Sequence, residues 1–228
     1  MHPPLRHLAI IMDGNRRYAK TRGLPHLEGH RVGREVVKQI GDWCVARHIE
    51  VLTLWAFSTE NWKRTEEEIR FLMDLLEWTF THDVNEFHEK GFRLRVIGRR
   101  EGLRPSIVAA IERAEALTAE NTGLTLVIAL NYGGRAELVD AFKSLVTQGI
   151  SAEDITEERI TAATYWPDMP SPELIIRTSG EQRLSGFLLW ESTYSELYWC
   201  NELWPDFSEA ALDQALVAYA ARESRFGK

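Results

Sequence analysis

Two hydrophobic periods alternate along this chain. Short apolar runs, partly β-branched, stand at 7–12 (HLAIIM), 51–57 (VLTLWAF), 94–98 (LRVIG), 124–130 (LTLVIAL) and 173–178 (ELIIRT). Runs of this kind read as buried strands of a parallel sheet. Between them the period lengthens. Val32, Val36, Val37, Ile40 and Trp43 fall on one helical face within 31–47, and Ile69, Leu72, Met73, Leu76, Phe80, Val84 and Phe87 keep helical spacing over about five turns. The stretches 105–119, 134–147, 153–163 and 208–222 follow the same spacing. Strand alternating with helix predicts an α/β fold, a central, mostly parallel β-sheet flanked by helices. With no internal repeat, low-complexity tract or linker, residues 1–228 read as a single domain.

A parallel sheet binds ligands beyond the carboxyl ends of its strands. Four such ends are polar or basic here: DGNRR (13–17), STENWKR (58–64), NYGGR (131–135) and SGEQRLS (179–185). Their convergence means more than any one of them. At the first, Gly14 permits a tight turn and a helix begins nearby, so Asp13 either holds Mg²⁺ beside a phosphate or, with Asn15, caps that helix. In GHRVGRE (29–35), Gly29 and Gly33 allow close approach of a phosphate or a strand. His30 there either bonds a diphosphate oxygen or is a structural hydrogen-bonding residue.

The second end places Ser58, Thr59, Asn61 and Arg64 in a loop, and Thr65 with Glu68 reads as a capping box opening the long helix. The stripe from Ile69 to Phe87 is either core or the wall of an apolar cavity. The last end carries Arg177, Arg183, Ser179 and Ser185 around Gly180, a set suited to the oxygens of a diphosphate. Glu196, among aromatics in ESTYSELYW, is a candidate second acid. Gly133 and Gly134 fit the turn before a helix. GxxxxGK[ST], a GxGxxG after the first strand and a nucleophile elbow are all absent, which argues against the common NTPase, dinucleotide and hydrolase readings.

Composition narrows the picture further. At 44% hydrophobic and 27% charged, the chain reads as a soluble globular protein, and a formal charge of −7 argues against a nucleic-acid partner. Arg16, Arg17, Lys20, Arg22, Arg31 and Arg34 nevertheless crowd one stretch, so a local anion site coexists with an acidic whole. Cys44 and Cys200 lack metal spacing and read as reduced thiols. The apolar start is too short for a signal peptide and no run is long enough to span a membrane, so a cytoplasmic protein is expected, with peripheral contact at the inner membrane face still open.

The same segments resemble the cis-prenyltransferase family, undecaprenyl diphosphate synthase type. The resemblance runs nearly end to end, through HLAIIMDGNRRYAK, GLPHLEGHRVG, LTLWAFSTENWKR, RLRVIG, LNYGGRAEL, IIRTSGEQRLSGFLLWESTYSELYW, LWPDF and the closing ESRFGK. It implies a homodimeric, Mg²⁺-dependent enzyme with an apolar substrate tunnel. Such enzymes extend an allylic diphosphate, commonly farnesyl diphosphate, with isopentenyl diphosphate units in cis. Asp13 then resembles the Mg²⁺-binding aspartate, with Glu196 as the second acid. Gly14, Asn15, Arg17, Tyr18, His26 and His30 fall at the allylic diphosphate site. Ser58, Thr59, Glu60, Asn61, Trp62, Arg64 and Glu68 fall at the mobile flap, Asn61 with a catalytic role. Arg177, Arg183 and Ser185 match the isopentenyl diphosphate pocket, which Arg225 and Gly227 would reach from a partner chain.

Departures from the family pattern are His26 for an arginine, Tyr18 for Trp, Arg16 for Gly, Thr65 for Pro and Gly186 for Asn. The small Ala56 before the flap favours a long product, such as undecaprenyl diphosphate for a cell-wall carrier. The alternatives are a short-chain Z-prenyl diphosphate synthase and a non-catalytic subunit of a heteromeric enzyme.

Overall fold

The computed structural model describes residues 5–222, so Arg225 and Gly227 lie outside the described residues. Six strands form one all-parallel sheet in the order β3-β4-β2-β1-β5-β6. They are β1 (His7–Ile11), β2 (Val51–Ser58), β3 (Arg93–Ile97), β4 (Thr125–Tyr132), β5 (Leu174–Arg177) and β6 (Glu196–Trp199). The five expected strands are all present. The sixth, ELYW, is a short edge strand whose four residues are each half-buried, so it carries no continuous apolar run that would mark it in the sequence.

Alternation along β1 sends Leu8 and Ile10 into the apolar layer on one face and Ala9 and Ile11 into the layer on the other. Helices cover both faces: α1 (Asn15–Thr21), α2 (Glu28–Ala46), α3 (Glu66–Trp78), α4 (Val84–Glu89), α5 (Pro105–Thr118), α6 (Gly134–Thr147), α7 (Glu157–Ala162) and α8 (Glu209–Ala220). The long helix expected across 69–87 is two helices, α3 and α4, joined by a π-helical turn at Thr79–Asp83. The segment 153–163 is likewise divided, into a 3-10 turn at Ala152–Asp154 and α7.

Half of the expected capping box forms. The Thr65 hydroxyl accepts from the Glu68 amide at 3.3 Å, but the Glu68 carboxylate turns to Arg64 instead of returning to Thr65. The complete box lies seven residues earlier, between Ser58 and Asn61, and it fixes the 3-10 turn Thr59–Lys63 directly after β2. Cys44 and Cys200 are both free and buried. Among the described residues no helix is long and apolar enough to cross a membrane.

Register is what positions the site. Ile11 at the end of β1 lies opposite Trp55 of β2 and Arg177 of β5, so the segments leaving these three strands emerge side by side.

At the opposite end of β1, fully buried His7 is held between the Pro170 carbonyl (2.6 Å) and the Thr53 hydroxyl (2.7 Å). Burial lowers its pKa to about 4, so the folded chain keeps this ring neutral while the unfolded chain protonates it below about 6.5. The stabilisation is therefore complete above pH 6.5 and lost as pH falls toward 4, by roughly 3 kcal/mol at one pKa unit per 1.36 kcal/mol. Denaturant titrations at pH 7 and pH 4.5 should show a smaller loss for His7→Gln than for the parent chain. Equal losses would remove His7 from the acid sensitivity.

Candidate active site

Asp13 follows β1 and faces Arg177 at the end of β5. The Arg177 Nη2 donates to Asp13 Oδ2 at 2.9 Å, and its Nη1 donates to the Arg183 carbonyl (2.5 Å) and the Ser185 hydroxyl (2.9 Å). Burial pushes the Asp13 carboxyl upward, but the Arg177 hydrogen bond and charge, aided by Arg17 at 3.4 Å and by Ser179, outweigh it and hold the pKa below the usual carboxylate value. The Asp13 backbone is clamped as well, because buried Thr178 accepts from its amide (2.9 Å) and donates to its carbonyl (2.6 Å).

Asp13 is thus no helix cap. The position before α1 is Gly14, whose φ of 110° suits glycine, and no side chain caps that helix. Gly29 and Gly33 do allow close approach, and the neighbour they admit is Asn15, with Gly33 also lining the cavity. A Cβ at Gly29 would stand 1.9 Å from the Asn15 carbonyl, and one at Gly33 would stand 2.3 Å from Asn15 Oδ1. These two glycines let α2 press against α1 and set Asn15 in place.

A cavity of about 620 Å³ opens at this point. Its polar end is lined by Asp13, Gly14, Asn15, Arg17, His30, Ser58, Asn61, Arg64, Arg177, Arg183 and Ser185. Its apolar end is lined by Val37, Ala56, Leu72, Leu75, Leu76, Phe80 and Ile128. Three of the four polar strand ends therefore converge; NYGGR does not line the cavity. Asn131 of that segment instead accepts from Trp62 Nε1 at 2.8 Å. The Ile69–Phe87 stripe serves both readings: it packs in one core cluster, and Leu72, Leu76 and Phe80 of it also line the cavity, whereas Met73, Val84 and Phe87 do not.

Beside the polar end, Glu68 is buried with Arg64 at 2.7 Å, His30 at 3.8 Å and Arg16 at 3.9 Å. The His30 ring, then Arg64 and Arg16, draw its pKa down to about 2 against burial that would raise it. At 3.8 Å the His30 contact is too long for a hydrogen bond. His30 Nε2, Asn15 Oδ1 and Arg177 Nε are all buried without a hydrogen-bond partner, and all three residues line the cavity. Buried polar atoms are normally satisfied, so three at one cavity mouth point to a polar ligand there.

Other expected residues lie apart from the cavity. Tyr18 packs under Arg22, whose Cζ is 3.9 Å from its ring centroid, and His26 is exposed in the segment before α2. Thr59, Glu60 and Trp62 occupy the 3-10 turn without lining the cavity. Glu196 is in β6, its carboxylate bonded by Arg222, and it does not line the cavity either.

Sequence reasoning overlooked Thr178, Glu181 and the Arg34–Asp83 pair, and placed Ser179 among the hydroxyls suited to diphosphate oxygens. Ser179 Oγ accepts from Arg17 at 2.5 Å, and Glu181 bridges Arg17 (3.4 Å) and Arg183. Ser179 and Ser185 both adopt positive φ, 79° and 54°, a conformation that costs energy and is found at binding loops. The neighbouring Gly180 was the available signal.

The prenyltransferase family model described as "Putative undecaprenyl diphosphate synthase" matches residues 11–227. The isoprenyl transferase of Neisseria gonorrhoeae is 47% identical over 98% of this chain and 89% of its own. That of Thermotoga maritima is 47% identical over 97% and 96%. The chain belongs to the undecaprenyl diphosphate synthase family. It is accordingly a prenyltransferase, and two solved structures of the same fold agree. Lavandulyl diphosphate synthase from Lavandula x intermedia, in complex with dimethylallyl diphosphate, superposes with a TM-score of 0.93 at 37% identity, covering 99% of both chains. A probable undecaprenyl diphosphate synthase from Campylobacter jejuni gives 0.84 at 31% identity over the whole of both.

Two departures from the undecaprenyl diphosphate synthase pattern leave the backbone unchanged in kind. Gly186 has φ 85°, a conformation Asn also tolerates, and Thr65 has φ −64°, the value Pro would impose. The packing of α1 on α2 is less forgiving. Gly29→Ala should lower stability by about 1–3 kcal/mol, the usual cost of overpacking, and weaken diphosphate binding by displacing Asn15. Thermal melting together with pyrophosphate titration checks this; a variant with parental values in both would contradict the packing role.

Proposed function

We propose that this prenyltransferase condenses isopentenyl diphosphate with an allylic diphosphate, farnesyl diphosphate as starter, to a long-chain Z-polyprenyl diphosphate of the undecaprenyl kind used as a cell-wall carrier. The observation that carries this reading is the set of unpartnered polar atoms beside Asp13 and Arg177, at the mouth of a cavity whose far wall is Leu72, Leu76 and Phe80. A charged head and an apolar tail fit these two ends. The lavandulyl diphosphate synthase structure holds an allylic diphosphate, which supports the same substrate class here.

Asn15, Arg17 and His30 are assigned to the allylic diphosphate, and Arg177, Arg183 and Ser185 to isopentenyl diphosphate. Cleavage of the allylic C–O bond leaves its electron pair on the departing diphosphate, where preorganised arginine and amide donors stabilise the charge. The isopentenyl double bond forms the new C–C bond at the allylic carbon, and a proton leaves the adjacent carbon. Asn61 and Arg64, held by the Ser58 box and by Glu68, cover the reacting ends and exclude water.

Asp13 would hold Mg²⁺. Among the described residues no three His, Cys, Asp or Glu side chains form a metal cluster, and Mg²⁺ asks for less: one or two carboxylates, with phosphate oxygens and water completing its shell. When bound, the ion neutralises charge on the diphosphate oxygens. Glu196 stands away from the cavity within one chain, so its assignment as second acid depends on a homodimer, as do Arg225 and Gly227. Peripheral contact with the inner membrane face is proposed for product release from a cytoplasmic enzyme.

A short-chain product is the second reading, supported by the higher TM-score to lavandulyl diphosphate synthase. Incubation with Mg²⁺, farnesyl diphosphate and labelled isopentenyl diphosphate, followed by chromatography, separates the two: many additions are expected, and a ceiling at two or three selects the short-chain reading. Chelation should stop incorporation, and Asp13→Ala should cut kcat by about 10²–10³-fold or more with the fold intact; near-parental turnover would take Asp13 out of this role. Ala56 lines the apolar wall, so Ala56→Leu should shorten the products, and unchanged lengths would misplace the tail.

A further inference from the structure

The apolar end of the cavity contains one ion pair. Arg34 of α2 and Asp83 of the π turn both line it, with side chains 17% and 6% exposed. The guanidinium binds the carboxylate in two places, Nε to Oδ2 at 2.6 Å and Nη2 to Oδ1, while Nη1 donates to Glu35 at 3.1 Å.

Asp83 lies fifteen residues beyond Glu68 along the α3–π–α4 helix, about 20 Å at the helical rise of 1.5 Å per residue. Polar contacts thus join this helix to α2 at His30 and Glu68 beside the polar end and, one turn further along α2, at Arg34 and Asp83, after which the pairing continues with Lys38 and Glu86 at 2.7 Å. Leu72, Leu75, Leu76, Thr79 and Phe80 form the wall between them. The segment that carries Asp83 is a π turn, an interruption that recurs at functional positions in helices.

We infer that the Arg34–Asp83 pair is a length stop for the growing prenyl chain. This rests on the proposed reading, in which the hydrocarbon tail enters between α2 and α3. A cavity of about 620 Å³ lies within the usual range for drug-sized ligands, so a long tail must outgrow it past Phe80. There the tail meets two charges that are satisfied by each other. Pushing between them would leave the buried Asp83 carboxylate without its partner and Arg34 with Glu35 alone, and a buried unpaired charge is strongly unfavourable. Lining the wall with more apolar surface continues to favour added methylenes; the clasp ends that gain.

The test is the product-length distribution of the full chain from farnesyl and isopentenyl diphosphates, beside a thermal melt. Arg34→Met/Asp83→Leu removes both charges at similar volume, and it should shift the main product upward by one or more isoprene units. Arg34→Gln/Asp83→Asn keeps hydrogen bonding without charge; it should shift in the same direction by less and covers the case in which the first variant does not fold. Arg34→Lys/Asp83→Glu should retain the parental length. A merely structural ion pair would move the melting temperature and leave the distribution alone. Parental or shorter products from a cooperatively melting, uncharged variant overturn the length stop while leaving the proposed function standing. No incorporation by the parent chain overturns both.

Discussion

The hydrogen-bonded pair of Arg177 and Asp13 is the contact on which the rest of the site depends. It joins the ends of two adjacent parallel strands, and it exists because Ile11 is in register with Arg177. A buried arginine is tolerable only with its donors matched, and this one reaches Asp13, the Arg183 carbonyl and Ser185 while its Nε is left over. One side chain therefore orders both the first loop and the last, and keeps one buried donor, Nε, without a partner. Thr178 adds a backbone clamp on Asp13, so the carboxylate is held from the strand side and the arginine side together.

Around that pair the molecule separates charge from hydrocarbon within one cavity. Glu68 gathers Arg64 and Arg16 beside the polar end, with the His30 ring 3.8 Å away, so a single buried carboxylate draws the start of α3 toward α1. Asn15 is placed by two glycines that admit no Cβ, so its position follows from helix packing and not from a cap. Beside Ala56 and Ile128 the lining is Leu72, Leu75, Leu76, Thr79 and Phe80, next to Arg34 and Asp83. The polar end is in this way built mainly from the segments that follow β1, β2 and β5, and the apolar end mainly from α3 with Val37, Ala56 and Ile128.

Much of this was legible in the sequence. The alternation of short apolar runs with helical period marks the sheet and its order of elements, and Arg16, Arg17, Arg177 and Arg183 mark the anion-binding end. The family resemblance, which the family model and the relatives support, reached the same residues by their motifs. What stayed hidden has physical reasons. Leu72 and Met73 both belong to the core, yet only Leu72 also lines the cavity, because hydrophobicity reports burial and not what fills the space. Arg34 sits among Arg31, Glu35 and Lys38 and looks like part of a solvated face; only its meeting with Asp83, 49 residues away, reveals a buried pair. Strand β6 escaped because an edge strand need not be apolar. Ser179 and Ser185 carry backbone strain that only the neighbouring glycines, Gly180 and Gly186, hint at.

The central claim is that the Asp13–Arg177 mouth grips a diphosphate whose tail lies between α2 and α3. A crystal structure of the chain with Mg²⁺ and a non-cleavable farnesyl diphosphate analogue tests it most directly. The account predicts diphosphate oxygens within hydrogen-bond distance of Arg17 and His30, the metal on Asp13, and the tail against Leu72, Leu76 and Phe80. A diphosphate bound away from this mouth, or a tail leaving it toward solvent, would contradict the account.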